Sequence, residues 1–117
     1  MNKIIISGRL TKKAEVRFTE NETPVASFTL AVNRIKKEEA DFINIVAWNK
    51  LAEIVQKYTD KGHRVLVNGR LQTRNWEDEN GNKHYTTEVV AEEIELLEKR
   101  DVAPQSEETP DLPFQEV

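Results

Sequence analysis

Three aromatic residues, Phe42, Trp48 and Trp76, stand among polar and basic residues in segments that alternate like β-strands. Phe42 and Trp48 have the same parity, so they project from one face of a strand, about 20 Å apart at roughly 3.3 Å per residue. Trp76 shares its parity with Arg70 and Arg74 in a later strand segment. Flat rings beside guanidinium groups suit an extended anionic chain that carries bases, because rings stack on bases and cations contact phosphates.

Packing in a core is the alternative for each of these rings, since a strand aromatic is more often buried than a ligand platform. The other parity of the same strands is apolar and is expected to fill the core: Ile43, Ile45 and Ala47 in one strand, and Val65, Val67, Gly69 and Leu71 in the other. Two further aromatic residues, Phe28 and Tyr58, are expected inside, because they lie on the apolar faces of a strand and a helix.

The sequence gives little support to catalysis or metal binding. Its four glycines form neither a phosphate-binding loop nor a dinucleotide fingerprint, and it has no cysteine. His63 and His84 lie without a third ligand at metal-binding spacing. The carboxylates at 77–79 fall in a predicted turn, where solvation is their expected state. We therefore expect no catalytic residue, no metal and no cofactor.

The net charge of −4 is unevenly distributed along the 117 residues. All 17 Lys and Arg residues lie in residues 1–100, whereas residues 101–117 contain five acidic residues, three prolines and no basic residue. This composition predicts one folded domain over 1–100 and a disordered acidic tail over 101–117. No segment has the length and apolarity of a membrane span, and no signal-peptide core is present, so a cytoplasmic location is expected.

Hydrophobic alternation predicts strands at 2–10, 14–18, 25–33, 41–48, 64–76 and 83–91, the last extending towards 98 or followed by a short piece. One helix follows residue 48, with Asn49 as its cap and Gly62 as its stop. Asn80 and Gly81 mark a hairpin turn. We group these as three strands, a helix and two strands joined by a hairpin, the layout of an all-β, five-stranded OB-fold barrel. An SH3-like barrel or split sandwich fits the strand count but does not explain the helix.

Five segments in this order resemble the bacterial and phage single-stranded DNA-binding proteins: ISGRLT at 6–11, FTLAVNR at 28–34, ADFINIVAW at 40–48, GRLQTRNW at 69–76 and TTEVVA at 86–91. The resemblance covers residues 2–100 and a short element of the tail. It implies an OB-fold homotetramer that wraps single-stranded DNA without sequence preference and without catalysis. It also implies that Phe42, Trp48 and Trp76 are DNA-stacking residues, with Trp76 at the base of the long hairpin.

Phosphate contacts must be local, because the body of the chain is nearly neutral. The candidates are Arg9, Arg34, Lys36, Arg70 and Arg74. The loop at 35–39, which carries a fourth stacking aromatic in some members, is short here and has none. In the tail, Asp111, Leu112, Pro113 and Phe114 resemble the motif with which family members bind replication and recombination proteins.

The expected function is therefore protection of single-stranded DNA in replication, recombination and repair, in the cytoplasm at the nucleoid. An adaptor of a replication or primosome assembly, with an OB-fold that binds strands weakly, is the alternative of a different class. An OB-fold nuclease is a third possibility, and it would require metal-dependent cleavage of DNA.

Overall fold

The computed structural model describes residues 1–36 and 38–97. Over these residues the chain forms six strands and one helix: β1 (Ile4–Leu10), β2 (Glu15–Phe18), β3 (Pro24–Asn33), β4 (Ala40–Trp48), α1 (Lys50–Tyr58), β5 (Arg64–Glu77) and β6 (Lys83–Leu96). The predicted strands are confirmed with small differences at their ends, and β6 is the longer of the two versions expected for it. The proposed tail at 101–117 lies outside the described residues.

The strands close into a barrel. Their order is β1-β5-β6-β4-β3-β2. A further pairing between β1 and β3 closes the five strands β1, β5, β6, β4 and β3 into a ring, and β2 extends the sheet beside β3. All pairings are antiparallel except that between β4 and β6. This is the OB-fold barrel that the sequence predicts.

The first barrel strand is interrupted, which explains why six strands are observed where five were expected. Leu10 pairs with Leu30 and Glu15 pairs with Ser27, so five steps along the chain correspond to only three along β3. The surplus residues leave the ladder between β1 and β2. Counting β1 and β2 as one strand, the helix follows the third barrel strand, as predicted.

The core confirms Phe28 as a buried residue and shows that the expectation for Tyr58 was wrong. Phe28 is 5% exposed, whereas Tyr58 is 51% exposed. The buried face of α1 consists of Ala52 and Val55, and it continues into Thr59 just beyond the helix. Tyr58 lies one residue, or about 100° of helical rotation, away from Thr59 and therefore turns outward.

Asn49 occupies the N-cap of α1 but its side chain makes no capping hydrogen bond. Its backbone has φ 57° and ψ −124°, a region that favours glycine, and its N–H donates to the carbonyl of Pro24 at 2.9 Å. Asn49 thus turns the chain from β4 into the helix through its backbone, whereas side-chain capping was the expectation.

The C-terminal end of α1 does not depend on Gly62, contrary to the prediction. The helix ends at Tyr58, and Gly62 lies in the following turn with φ 87°. The ammonium group of Lys13 donates to the carbonyls of Gln56 and Thr59, each at 3.2 Å. A cation bound to the last carbonyls offsets the negative end of the helix dipole and ties α1 to the loop between β1 and β2.

The ladder between β5 and β6 is irregular at Gly69, which is also the last residue of β5 that pairs with β1. A Cβ atom at Gly69 would collide with the carbonyl oxygen of Val90, and one extra residue in β6, Glu92, lies opposite this point. Beyond Gly69 β5 is no longer covered by β1, so Leu71 is 44% exposed, although its parity with Val67 predicted a core position. Gln72 and Arg74, which follow in β5, line a groove together with Val46 and Trp48 of β4.

Candidate nucleic-acid interface

Residues of β2, β3 and β4 form one continuous face of the sheet, and both aromatic residues of β4 lie on it. Antiparallel neighbours project from the same face, and β3 pairs Ala31 with Phe42 and Val25 with Trp48. Phe42 is 67% exposed and Trp48 is 43% exposed, whereas Ile45 of the opposite parity is fully buried. The exposure predicted for these two rings is therefore observed, and we call the surface the aromatic face.

Guanidinium groups accompany both rings across β3. Arg9 of β1 pairs with Ala31, and Arg17 of β2 pairs with Val25. Each arginine is therefore separated from the aromatic residue of its row by two inter-strand spacings, or about 10 Å between backbones. Arg9 is a predicted phosphate contact and Arg17 is not. The Nη1 atom of Arg9 donates to the carbonyl of Gly62 at 2.8 Å, which holds its guanidinium in place.

Trp76 lies beside the hairpin turn, not at the base of the hairpin as the resemblance implied. It pairs with His84, and the two rings stack with centroids 4.3 Å apart and an angle of 17° between their planes. Since Trp76 is 47% exposed, the imidazole covers part of the indole and leaves the rest open. The exposed indole surface can accept a base.

Asp78 holds the imidazole against the indole. Its Oδ2 lies 2.9 Å from Nε2 of His84, and its Oδ1 accepts backbone hydrogen bonds from Asn80 and Asn82, each at 2.9 Å. The hydrogen bond to His84, followed by those from the turn, lowers the pKa of Asp78. The alternation pattern did not indicate this cluster of Trp76, His84 and Asp78. A turn centred on Asn80 was the available signal, because it places residues 76 and 84 opposite each other.

The two predicted phosphate contacts of β5 are already paired with carboxylates. Nη1 of Arg70 lies 3.3 Å from Glu92, and Nε of Arg74 lies 3.4 Å from Glu88. Glu88 is buried, whereas both arginine side chains are about half exposed. A phosphate that binds either guanidinium must share it with, or displace, its carboxylate.

Arg34 and Lys36 lie at the end of β3 and in the following loop. Arg34 forms ion pairs with Asp41 at 2.8 Å and Glu39 at 3.1 Å. The hydrogen bond to Arg34 lowers the pKa of Asp41, and the same bond raises the pKa of Arg34. Asp41 has the opposite parity to Phe42, so this pairing does not bring Arg34 to the aromatic face. Lys36 is exposed, and no ion pair of Lys36 is found within residues 1–36 and 38–97.

A groove of about 400 Å³ connects the sheet with the hairpin. Trp48 and Val46 of β4 line one part and Arg74 of β5 another, while Arg17 and Phe18 complete it from β2. Neither Arg17 nor Phe18 was predicted from the sequence, because β2 has only four residues and its alternation is too short to assign faces.

The described residues contain no group of three or more His, Asp or Glu side chains that could hold a metal ion. Within the same ranges, no helix has the length and apolarity needed to cross a membrane. What the aromatic face offers chemically is stacking and charge neutralisation along an extended surface, which are the properties of an OB-fold binding module.

Comparison with known proteins specifies this class further. The profile of the single-strand binding protein family matches residues 1–97. The chain therefore belongs to the single-strand binding protein family, whose members are binding proteins.

Individual relatives agree with this assignment. Single-stranded DNA-binding protein 1 of Streptococcus pyogenes serotype M18 is 44% identical over 97% of this chain and 99% of its own length. The single-stranded DNA-binding protein of Bacillus cereus is 51% identical over 86% of this chain and 62% of its own length. Single-stranded DNA-binding protein 3 of Clostridium acetobutylicum is 52% identical over 84% of this chain and 72% of its own length. This chain thus spans less than two thirds of the Bacillus cereus relative.

Proposed function

We propose that this protein binds single-stranded DNA without sequence preference and protects it during replication, recombination and repair. One observation carries the proposal: the rings of Phe42 and Trp48 are exposed on a continuous face of the barrel, and Trp76 extends the set on the adjoining hairpin. With DNA as its ligand, the protein acts in the cytoplasm at the nucleoid.

Binding proceeds by stacking and charge neutralisation. Bases stack on Phe42, on Trp48 and on the open surface of Trp76, while Arg9 and Arg74 contact phosphates between them. Every base has a π-face, so stacking does not discriminate between sequences. Duplex DNA binds poorly, because its bases cannot leave their stack without losing pairing. Arg34, Lys36 and Arg70 remain proposed phosphate contacts at the margins.

No covalent step belongs to this function. The groove beside Trp48 holds one buried carboxylate, Glu88, and this is paired with Arg74. A nuclease would cleave labelled DNA in the presence of divalent metal. We expect the strand to be recovered intact.

Competition between oligonucleotides tests the binding proposal. Fluorescently labelled oligo(dT) is bound to the protein and displaced with unlabelled oligo(dT), with a mixed-sequence single strand, or with the duplex of that sequence. We expect the two single strands to compete similarly and the duplex to compete far more weakly. Equal competition by duplex and single strand would overturn the proposal.

We further propose that the protein is a homotetramer. Residues 4–8 of β1 pair with β5 on one side, while among the described strands β3 pairs only with Arg9 and Leu10 on the other. Ile5 in this open edge is 60% exposed. An open edge with an apolar side chain favours strand addition by a second copy.

Light scattering tests the assembly. We expect a mass four times the 13.5 kDa of the chain, and a smaller mass for Ile5→Glu, which places a charge in the apolar edge. A monomeric wild type at micromolar concentration would contradict the assembly and leave the DNA-binding proposal standing.

The tail motif Asp111, Leu112, Pro113 and Phe114 is proposed to bind replication and recombination proteins. Its support is compositional: acidic residues surround two large apolar side chains in a segment too polar to form a core of its own. Deletion of residues 102–117 should retain oligo(dT) binding and abolish recovery of these proteins from a host extract. Unchanged recovery would refute the motif's role.

A further inference from the structure

We propose that Arg17 and Phe18 form an additional nucleotide-binding subsite beside Trp48, in which Phe18 stacks on a base and Arg17 contacts a phosphate. The inference rests on the proposed function, because its ligand is the same DNA strand that occupies Trp48. It assigns a binding role to the β2–β3 hairpin, which carries none of the predicted site residues.

The sheet register places Arg17 in the same row as Trp48, and a shared groove adds Phe18. Val25 of β3 pairs with Arg17 on one side and with Trp48 on the other, so all three project from the aromatic face. Phe18, opposite Pro24, has the parity opposite to that of Arg17, but it is the last residue of β2, and the groove rather than the register brings it to Trp48. These side chains line the same groove of about 400 Å³, a volume within the range of roughly 300–1,000 Å³ that is typical of small-ligand sites.

Charge distinguishes Arg17 from the other arginine residue in this groove. Arg74 is paired with the buried carboxylate of Glu88. Arg17, by contrast, is exposed and has no carboxylate partner within residues 1–36 and 38–97. A phosphate can therefore bind Arg17 without displacing a carboxylate of the protein. The negative charge that pairs with Arg17 is then supplied by the DNA.

The ring of Phe18 is exposed although it is held on an ordered turn. Phe18 is 67% exposed, as much as Phe42. The turn that follows is closed by Thr19, whose N–H donates to the carbonyl of Thr23 at 3.0 Å and whose Oγ1 accepts from the N–H of Thr23 at 3.2 Å. An exposed aromatic ring at the start of a closed turn, next to the exposed guanidinium of Arg17, can bind a base and its phosphate.

Paired substitutions test the subsite in the full-length protein. Phe18→Ala should weaken oligo(dT) binding roughly 5- to 150-fold, the range for loss of one base stack. Phe18→Tyr should retain binding, since it keeps the ring. Arg17→Ala should reduce the slope of log K against log salt by about 0.7, the value for one phosphate of a single strand. Arg17→Lys should preserve the slope.

The control is Tyr58→Ala, which removes a half-exposed aromatic side chain from α1, outside the groove. Circular dichroism melts verify that all variants are folded. Wild-type affinity in Phe18→Ala together with an unchanged slope in Arg17→Ala would overturn the subsite. If the wild-type protein itself fails to bind oligo(dT), the proposed function fails first, so the two failures are distinguishable.

Discussion

Truncation of Trp76 is the sharpest perturbation of the proposed interface, because the structure limits what the indole can do. His84 stacks at 4.3 Å and occupies one side of the ring, so Trp76 can accept one base and not two. Loss of one base–aromatic stack costs about 1–3 kcal/mol. At about 1.4 kcal/mol per factor of ten, Trp76→Ala should bind oligo(dT) roughly 5- to 150-fold more weakly.

Folding should be little affected by this substitution. The indole is 47% exposed and lies in the hairpin beyond the barrel, so its removal opens no core cavity. The lost contact is the stack on His84, for which aromatic pairs suggest about 0.5–1.5 kcal/mol. Weaker DNA binding with a nearly unchanged thermal melt is therefore the expected combination.

Fluorescence anisotropy of labelled oligo(dT) measures the effect, with two matched variants. Trp76→Phe keeps a stacking ring and should recover most of the affinity. Tyr58→Ala removes an aromatic side chain of similar exposure from α1 and should bind as the wild type does. Wild-type affinity in Trp76→Ala, or an equal loss in Tyr58→Ala, would refute the assignment of Trp76 as a base-stacking residue.

Three further outcomes are expected. Phe28→Ala should lower the free energy of unfolding by about 3–5 kcal/mol in urea titrations, because it empties a buried position of the barrel; a loss below about 1 kcal/mol would contradict that placement. Lowering the pH through the pKa of Asp78, which lies below its ordinary value of 3.8, should loosen the hairpin turn, because the carboxylate stabilises the turn above pH 3.8 and this stabilisation is lost when Asp78 is protonated. Amide exchange of residues 78–82 in the wild type and in Asp78→Asn measures the loosening. Equal acid sensitivity in both proteins would exclude Asp78 as the cause. Arg74→Ala should lower the salt slope of oligo(dT) binding by about 0.7, and an unchanged slope would remove Arg74 from the phosphate contacts.

Strand faces could be predicted from the sequence, because side-chain alternation is a local property. The parity of Phe42 and Trp48 against Ile45 gave the correct division of β4 into an exposed and a buried face. Alternation failed for Leu71, because β1 covers β5 only as far as Gly69, and that limit is set by strand pairing in the tertiary structure. Whether the residues on the apolar face of a strand are buried depends on where that strand leaves the barrel.

Helix orientation and charge pairing also required the tertiary structure. The apolar spacing in α1 is compatible with Tyr58 inside, but packing selects the face of Ala52 and Val55. The pairing of Arg74 with Glu88 joins residues on two strands, and its significance arises from the burial of the acid. No local pattern indicates which cations an internal carboxylate has already neutralised.

Intrinsic tryptophan fluorescence tests the central claim most directly, because the chain has two tryptophans and both belong to the proposed interface. Titration with oligo(dT) should quench the emission to a saturating level, since stacked bases quench indole. Trp48→Phe and Trp76→Phe should each retain quenching of the remaining tryptophan. Saturated binding, confirmed by anisotropy of a labelled strand, with no change in emission from either tryptophan would contradict the account.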